Sequence, residues 1–161
     1  MRDISLYRPN VGICLIDRNG LVLVGERADI RGSGKAWQMP QGGIDEGEEI
    51  RAAALRELEE ETGTGKAEFL AESAEWLFYD FPPEYAGILV PPKKNYRGQR
   101  QKWVAFRFTG TDADLRPETE NPEFSRFEWV RPEEALARIV EFKRSVYEAV
   151  LKEFAPLFVP V

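Results

Sequence analysis

Glu57, Glu60 and Glu61 stand at i, i+3 and i+4 near the end of the run PQGGIDEGEEIRAAALRELEEETG, Pro40 to Gly63. On a helix over Glu49 to Thr62, with 100° per residue, Glu57 and Glu61 project within about 20° of Ile50, and Ala53 and Ala54 lie beside them. The core-facing stripe thus turns acidic in its last turns. These carboxylates repel one another and face the negative end of the helix dipole, so nothing local favours them. Partly desolvated, mutually repelling carboxylates need a counter-charge, and hard oxygen donors on one face suit Mg²⁺, which keeps several waters and binds phosphate oxygens. Three glutamates by themselves describe a solvated acidic face. The spacing around them is what points to chemistry.

Other chemistries are closed off by composition. The chain has no histidine, which excludes Ser-His-Asp and Cys-His nucleophile schemes and histidine-based zinc sites, and leaves acid-base work to carboxylates. Cys14, the single cysteine, lies in an apolar run and reads as a core thiol compatible with a reducing cytoplasm. The net charge of −6 argues against broad affinity for nucleic acid, so a polyanionic substrate must be met by a local basic patch and by metal; DNA is not an expected partner. With 161 residues, 43% hydrophobic and 31% charged, the chain is expected to form one domain over 1–161. The N-terminus MRDISLYRPN lacks the apolar segment of a signal peptide, and no stretch approaches the ~18 apolar residues of a membrane span, so an unexported cytoplasmic protein is expected.

The elements that must position the carboxylates follow from pattern. Val11 to Ile16 and Leu21 to Gly25 read as strands joined by Asp17-Arg18-Asn19-Gly20, whose Asn-Gly pair is expected to supply the positive φ angles of a hairpin turn. Arg31 to Lys35 reads as a loop, and Trp37-Gln38-Met39 as a short extended segment stopped by Pro40 before a Gly42-Gly43 turn. Glu75 to Tyr79 and Lys102 to Thr109 carry strand composition, separated by a long loop rich in proline and basic residues, a length that suggests function. After the turn-rich Gly110 to Pro122, Phe124 to Val130 reads as a strand, and Pro132 with Glu133-Glu134 opens a short helix. In the last helix Val146, Tyr147, Val150, Leu151 and Phe154 form a stripe that packs on the sheet. A central helix among strands with another at the end suggests an α/β/α sandwich on a mixed sheet.

Gly42, five residues, Glu48, seven residues, then Arg56-Glu57-Leu58-Glu59-Glu60-Glu61-Thr62-Gly63 is similar to the Nudix hydrolase signature at every fixed polar and glycine position. Thr64 departs, where the family usually has an aliphatic residue, which touches packing and not metal ligation. The resemblance extends over nearly the whole chain to the bacterial RNA pyrophosphohydrolase and dinucleoside polyphosphate hydrolase branch of that family. It is carried by YRPNVG (Tyr7 to Gly12), WQMPQGGI (Trp37 to Ile44), GQRQKW (Gly98 to Trp103), PEF (Pro122 to Phe124), FKRSVY (Phe142 to Tyr147) and the place of Tyr79 beyond the 42–64 box.

The resemblance implies the Nudix-type α/β/α sandwich and a Mg²⁺-dependent cleavage of phosphoanhydride bonds, with Mn²⁺ able to substitute. Glu57, Glu60, Glu61, Glu123 and the carbonyl of Gly42 would hold the ions, and the base would be Glu61 or Glu123. Arg56 and Glu48 would pair and brace the loop. Arg8, Arg27 and Lys143 would meet the substrate's charged groups, and Val140 and Phe142 would form a slot for its first base. Tyr79, Gln99 and Lys102 are further binding candidates, although a strand tyrosine and a basic loop usually serve packing and solvation. The substrate would be a nucleotide or an RNA 5′ end: triphosphorylated RNA losing pyrophosphate, diadenosine tetraphosphate giving ATP and AMP, or both. Alternatives are a nucleotide-pool or nucleoside diphosphate sugar pyrophosphatase, and a catalytically silent binder of RNA 5′ ends, against which the intact carboxylate set speaks. Two departures bear on preference: Ala36 stands where related RNA-processing enzymes often have serine, and the preceding loop, Ala28 to Lys35, is longer.

Overall fold

Val11, Ile13 and Leu15 pack on one face of strand β1 (Tyr7–Ile16) and Cys14 and Ile16 on the other, and all are fully buried. A strand covered on both sides sits at the middle of a layered fold. In the computed structural model, which describes residues 2–28, 37–85, 87–116 and 123–161, β1 is followed by β2 (Val22–Arg27), β3 (Trp37–Gln38), β4 (Gln41–Gly43), α1 (Ile50–Thr62), β5 (Ala67–Glu72), β6 (Leu77–Asp80), β7 (Gly98–Phe108), β8 (Phe124–Val130), α2 (Pro132–Arg138) and α3 (Arg144–Glu153).

β1 and β7 run parallel in unbroken register from Tyr7 opposite Gly98 to Ile16 opposite Arg107. The other pairs are antiparallel: β2 and β4 on β1, β5 and β6 on β7, and β3 and β8 on β2. The sheet is therefore mixed. Ala53, Ala54 and Leu58 of α1 close one face over Val11, Ile13, Leu15, Val104 and Phe106. Ala135 and Ile139 around α2, with Val146, Tyr147, Val150 and Phe154 on and just past α3, close the other over Cys14, Ile16, Val24 and Trp103. This is the α/β/α sandwich expected. Helix α1 stops because Gly63, at φ 79°, turns left-handed and donates its N–H to the Glu59 carbonyl at 2.9 Å. Helix α2 opens on Pro132, whose fixed φ suits a first turn.

Several local expectations change. In the turn after β1 only Gly20 takes a positive φ (83°); Asn19 does not, and the Asp17 carboxylate instead accepts the N–H groups of Asn19 and Leu21 at 2.9 Å. Gly42-Gly43 is not a turn but the strand β4, paired with β1, and neither glycine has a positive φ. β1 and β7 both begin earlier than their apolar runs, taking in the polar segments YRPN and GQRQ. β5 forms where no strand is expected, and β6 begins at Leu77 rather than Glu75. The loop at 31–35, Ala36, the longer loop leading to it and Pro122 of the PEF segment fall largely or wholly outside the described residues. Among the described residues no helix is long and apolar enough to cross a membrane.

Candidate active site

A Cβ on Gly42 would lie 1.9 Å from Glu57 Cδ, and one on Gly43 would lie 2.2 Å from Arg8 Nη2. Glycine is needed here for close approach, letting β4 lie directly against the acidic edge of α1. Glu61 faces that contact. Its residue is 9% exposed, Oε2 has no hydrogen-bond partner, and the Gln41 backbone N–H donates to the carboxylate. Burial pushes the Glu61 carboxyl well above the ordinary glutamate range, and the neighbouring charges of Glu123 and Glu57 push it further. Glu57 has a side chain 12% exposed and is also raised by burial, against the pull of Arg56.

Arg56 organises the rest. Its Nε and Nη2 reach the two Glu48 oxygens at 2.8 and 2.9 Å, its Nη2 donates to the Gly43 carbonyl at 2.9 Å, and its Nη1 reaches Glu57 at 2.9 Å. The forked pairing with Arg56, with the Asp45 N–H donating as well, holds the Glu48 carboxyl down at about 2. Glu60, with its side chain 57% exposed, leans on Arg56 Nη1 at 3.3 Å. Among the described residues no three Asp, Glu, Cys or His side chains are gathered into a ready ligand cage. The donor chemistry nevertheless fits a hard divalent cation: oxygen atoms only, one of them an orphaned buried carboxylate oxygen, beside a backbone brought close by the missing Cβ of Gly42. A cleft of about 170 Å³ opens here, lined by Arg8, Asn10, Gln41, Gly42, Glu57, Glu61, Lys93 and Glu123.

Next to it lies a cavity of about 240 Å³ with aromatic walls from Tyr79, Phe81, Tyr85 and Phe142, an apolar lip of Ile88, Leu89 and Val90, and the cations Arg27, Lys93 and Lys143. The Phe142 ring stands 5.2 Å from Tyr85 and 5.6 Å from Tyr79. A chain of buried amides floors the two spaces. Trp103 Nε1 donates to Gln101 at 3.0 Å; Gln101 donates to Asn10 at 2.8 Å and to Gln41 at 3.1 Å; Asn10 donates to Gln99 at 3.1 Å; and Gln99 donates to the Tyr79 phenol. Burial lifts that phenol to about 12, against the hydrogen bonds of Gln99 and Gln41. The register of the parallel β1–β7 pair makes this chain possible, because it sets Asn10 opposite Gln101 and Arg8 opposite Gln99.

Residues 6–150 match the NUDIX domain family. The chain belongs to the Nudix family. It is 53% identical over 152 residues to an RNA pyrophosphohydrolase of Cereibacter sphaeroides, covering 93% of this chain and 91% of the relative. An RNA pyrophosphohydrolase of Rhodospirillum rubrum is 53% identical over 154 residues, covering 96% and 90%. Nudix hydrolase 26, chloroplastic, of Arabidopsis thaliana is 46% identical over 153 residues, covering 92% of this chain and 69% of the relative. Among solved structures, E. coli dihydroneopterin triphosphate pyrophosphohydrolase superposes with a TM-score of 0.66 at 16% identity, over 92% of this chain and 99% of that one. C. elegans Ap4A hydrolase superposes with a TM-score of 0.58 at 16% identity, over 92% and 98%. At that identity the structures share a fold with this chain and no more.

In this Nudix hydrolase the sequence-derived residues fall into three places. Arg8, Gly42, Glu57, Glu61 and Glu123 line the acidic cleft, with Glu48 and Arg56 bracing it and Glu60 at its exposed edge. Arg27, Tyr79, Gln99, Phe142 and Lys143 line the aromatic cavity. Lys143 is buried there, with Nζ 3.2 Å from the Gln38 amide oxygen. Two others lie apart. Val140 is half-buried against the core and lines neither space, and Lys102 reaches the Ser73 carbonyl at 2.8 Å and Glu72 at 3.4 Å, away from both. The structure adds Asn10, Gln41, Tyr85 and Lys93, of which the last two sit on the long loop whose length alone suggested function.

Proposed function

We propose that this Nudix hydrolase uses Mg²⁺, with Mn²⁺ able to replace it, to cleave phosphoanhydride bonds in 5′-polyphosphorylated nucleotides. The substrates of this reading are triphosphorylated RNA, which would lose pyrophosphate and keep a 5′ monophosphate, and diadenosine tetraphosphate, which would give ATP and AMP. One observation carries it: an acidic cleft holding the buried carboxylate of Glu61, the half-buried one of Glu57 and the exposed one of Glu123 abuts a cavity of aromatic walls, with Gln41 lining both. That is the shape of a ligand with a flat base at one end and a polyanion at the other. The names of the Cereibacter sphaeroides and Rhodospirillum rubrum relatives support the RNA substrate.

Glu57, Glu60, Glu61, Glu123 and the Gly42 carbonyl would hold the divalent ion. When bound, the ion supplies charge neutralisation on phosphate oxygens and a water of lowered pKa. The protein's own groups do the rest. Arg8 and Arg27 take up phosphate charge, Phe142 and Tyr79 seat the base, and Glu61 or Glu123 accepts the proton of the attacking water. Arg56 and Glu48 keep the loop from drifting as charge builds. The 1–161 chain acts in this reading as a single catalytic domain in a reducing cytoplasm, consistent with the buried thiol of Cys14.

The test is a competition assay with triphosphorylated RNA and diadenosine tetraphosphate in one tube, following both products with Mg²⁺ and after chelation. Turnover of at least one substrate, abolished by chelator, is the expected result. No turnover of either at micromolar enzyme overturns the reading. A silent RNA 5′-end binder is separated by Glu61→Gln, since a binder has no turnover to lose.

A further inference from the structure

Among the described residues, the acidic cleft and the aromatic cavity have two lining residues in common, Gln41 and Lys93. Any ligand whose base fills one space and whose phosphates reach the other passes between them. Gln41 lies on the strand side, where its backbone N–H donates to Glu61 and its side chain accepts from Gln101. Lys93 comes from the opposite side, on the long loop between β6 and β7. We infer that Lys93 is a substrate-binding residue, its ammonium gripping the phosphate that lies at the junction between base and scissile bond. The inference rests on the function proposed above and deepens it, assigning the connecting phosphate a cation of its own.

Two features give the placement weight. Lys93 opens a 3-10 turn, Lys93–Asn95, in which its carbonyl accepts the Tyr96 N–H at 3.0 Å. The loop is pinned just beyond, where Arg97 N–H donates to the Leu6 carbonyl at 2.8 Å and Phe81 N–H to the Arg97 carbonyl at 2.9 Å. A side chain launched from a fastened turn loses less freedom on binding than one from a loose loop. Charge points the same way. The cleft holds the carboxylates of Glu57, Glu61 and Glu123, and a polyanion entering that field needs cations on both walls. Arg8 stands on the strand side and Lys93 on the loop side.

The experiment compares Lys93→Met, Lys93→Arg and the neighbouring Lys94→Met in the 161-residue chain. Lys93→Met keeps the aliphatic stem and removes the charge. It is expected to raise KM for diadenosine tetraphosphate about tenfold, with kcat within about twofold, as loss of a contact made equally in ground and transition states requires. Lys93→Arg is expected to restore most of the affinity. Lys94→Met, with the same change in net charge at a position lining neither space, is expected to leave KM alone. Calorimetric titration with ATP reads the same residue without turnover and is expected to show the same loss of affinity. Unchanged ATP affinity and unchanged KM in Lys93→Met, or an equal effect from Lys94→Met, overturns the inference. A wild-type enzyme that binds ATP in a Lys93-dependent way yet cleaves neither substrate overturns the function reading alone.

Discussion

Arg56 and Glu48 form a two-pronged pair, Nε to Oε2 at 2.8 Å and Nη2 to Oε1 at 2.9 Å, and the same guanidinium reaches Glu57 and the Gly43 carbonyl. One planar group thus ties the loop before α1 to the helix edge that carries the carboxylates. Replacing Glu48 by Gln keeps the shape and removes the charge that holds the fork. A fall in kcat/KM of about 10–100-fold is expected, the usual cost of losing a group that orients ligands. Arg56→Lys is expected to fare no better, since an ammonium cannot make the planar fork. Steady-state kinetics over a metal titration checks both.

The same pair makes part of the fold's stability sensitive to acid. The Glu48 carboxyl is held at about 2, below its ordinary value of 4.5. A lowered folded-state pKa contributes stability above the ordinary value that is lost as pH falls through the lowered one. Wild-type melting temperature is therefore expected to fall between pH 4.5 and about 2 more steeply than that of Glu48→Gln. Melting curves across that window decide it.

Glu61 has the opposite sign. Its carboxyl is raised above 4.5, so its contribution to stability is full below that value and is lost as pH rises through the raised pKa. Metal-free Glu61→Gln is expected to melt about 2–4 °C above wild type at neutral pH, because burying a carboxyl that ionises freely in the unfolded chain costs roughly 1 kcal/mol, a cost the amide does not carry. The gap is expected to close toward pH 4.5. Added Mg²⁺ is expected to stabilise wild type far more than the variant, while the variant's turnover is lost. Equal metal-free melting temperatures at pH 7 would remove Glu61 from this role.

Gly42→Ala tests the close approach of β4 to α1. The added Cβ meets Glu57 Cδ at 1.9 Å, so the carboxylate must swing away or the strand must retreat. Turnover is expected to fall roughly 100-fold, as a displacement of about 1 Å in a reacting constellation does. The circular dichroism spectrum is expected to stay native.

Phe142 stands between Tyr79 and Tyr85 on the wall of the aromatic cavity. Phe142→Ala is expected to raise KM for diadenosine tetraphosphate about tenfold, the scale of one lost base-stacking contact. Inhibition by inorganic tripolyphosphate, which carries no base, is expected to stay at the wild-type level. A parallel rise for both ligands would place the base elsewhere.

Helix α1, strand β8 and the start of α2 are legible in the sequence because each announces itself locally, through apolar period, a stop glycine or an opening proline. The acidic edge of the cleft is legible for a related reason: Gly42, Glu57 and Glu61 lie within a single box, and Glu123 is reached through family resemblance. What stays hidden is held by distant pairing. YRPN and GQRQ carry no strand signal of their own, and become strand because each supplies the other with a parallel partner and a buried amide to bond. Gly42-Gly43 reads as a turn until α1 lies against it, when the missing side chains prove to be room for Glu57 and Arg8. Lys102 and Lys93 show the limit for single charges. Both sit in basic sequence, Lys93 on the loop before β7 and Lys102 within that strand, and only the folded chain sends one to the cavity and the other to Glu72.

The long loop between β6 and β7 carries Tyr85, the apolar lip and Lys93, while Arg56, Glu57, Glu60 and Glu61 belong to α1, Glu48 to the loop before it and Glu123 to the residue that precedes β8. In the proposed reading, reactivity and a share of the substrate preference are therefore housed in separate parts of the molecule. Grafting this loop from a relative with a different appetite is a way to exchange one without dismantling the other.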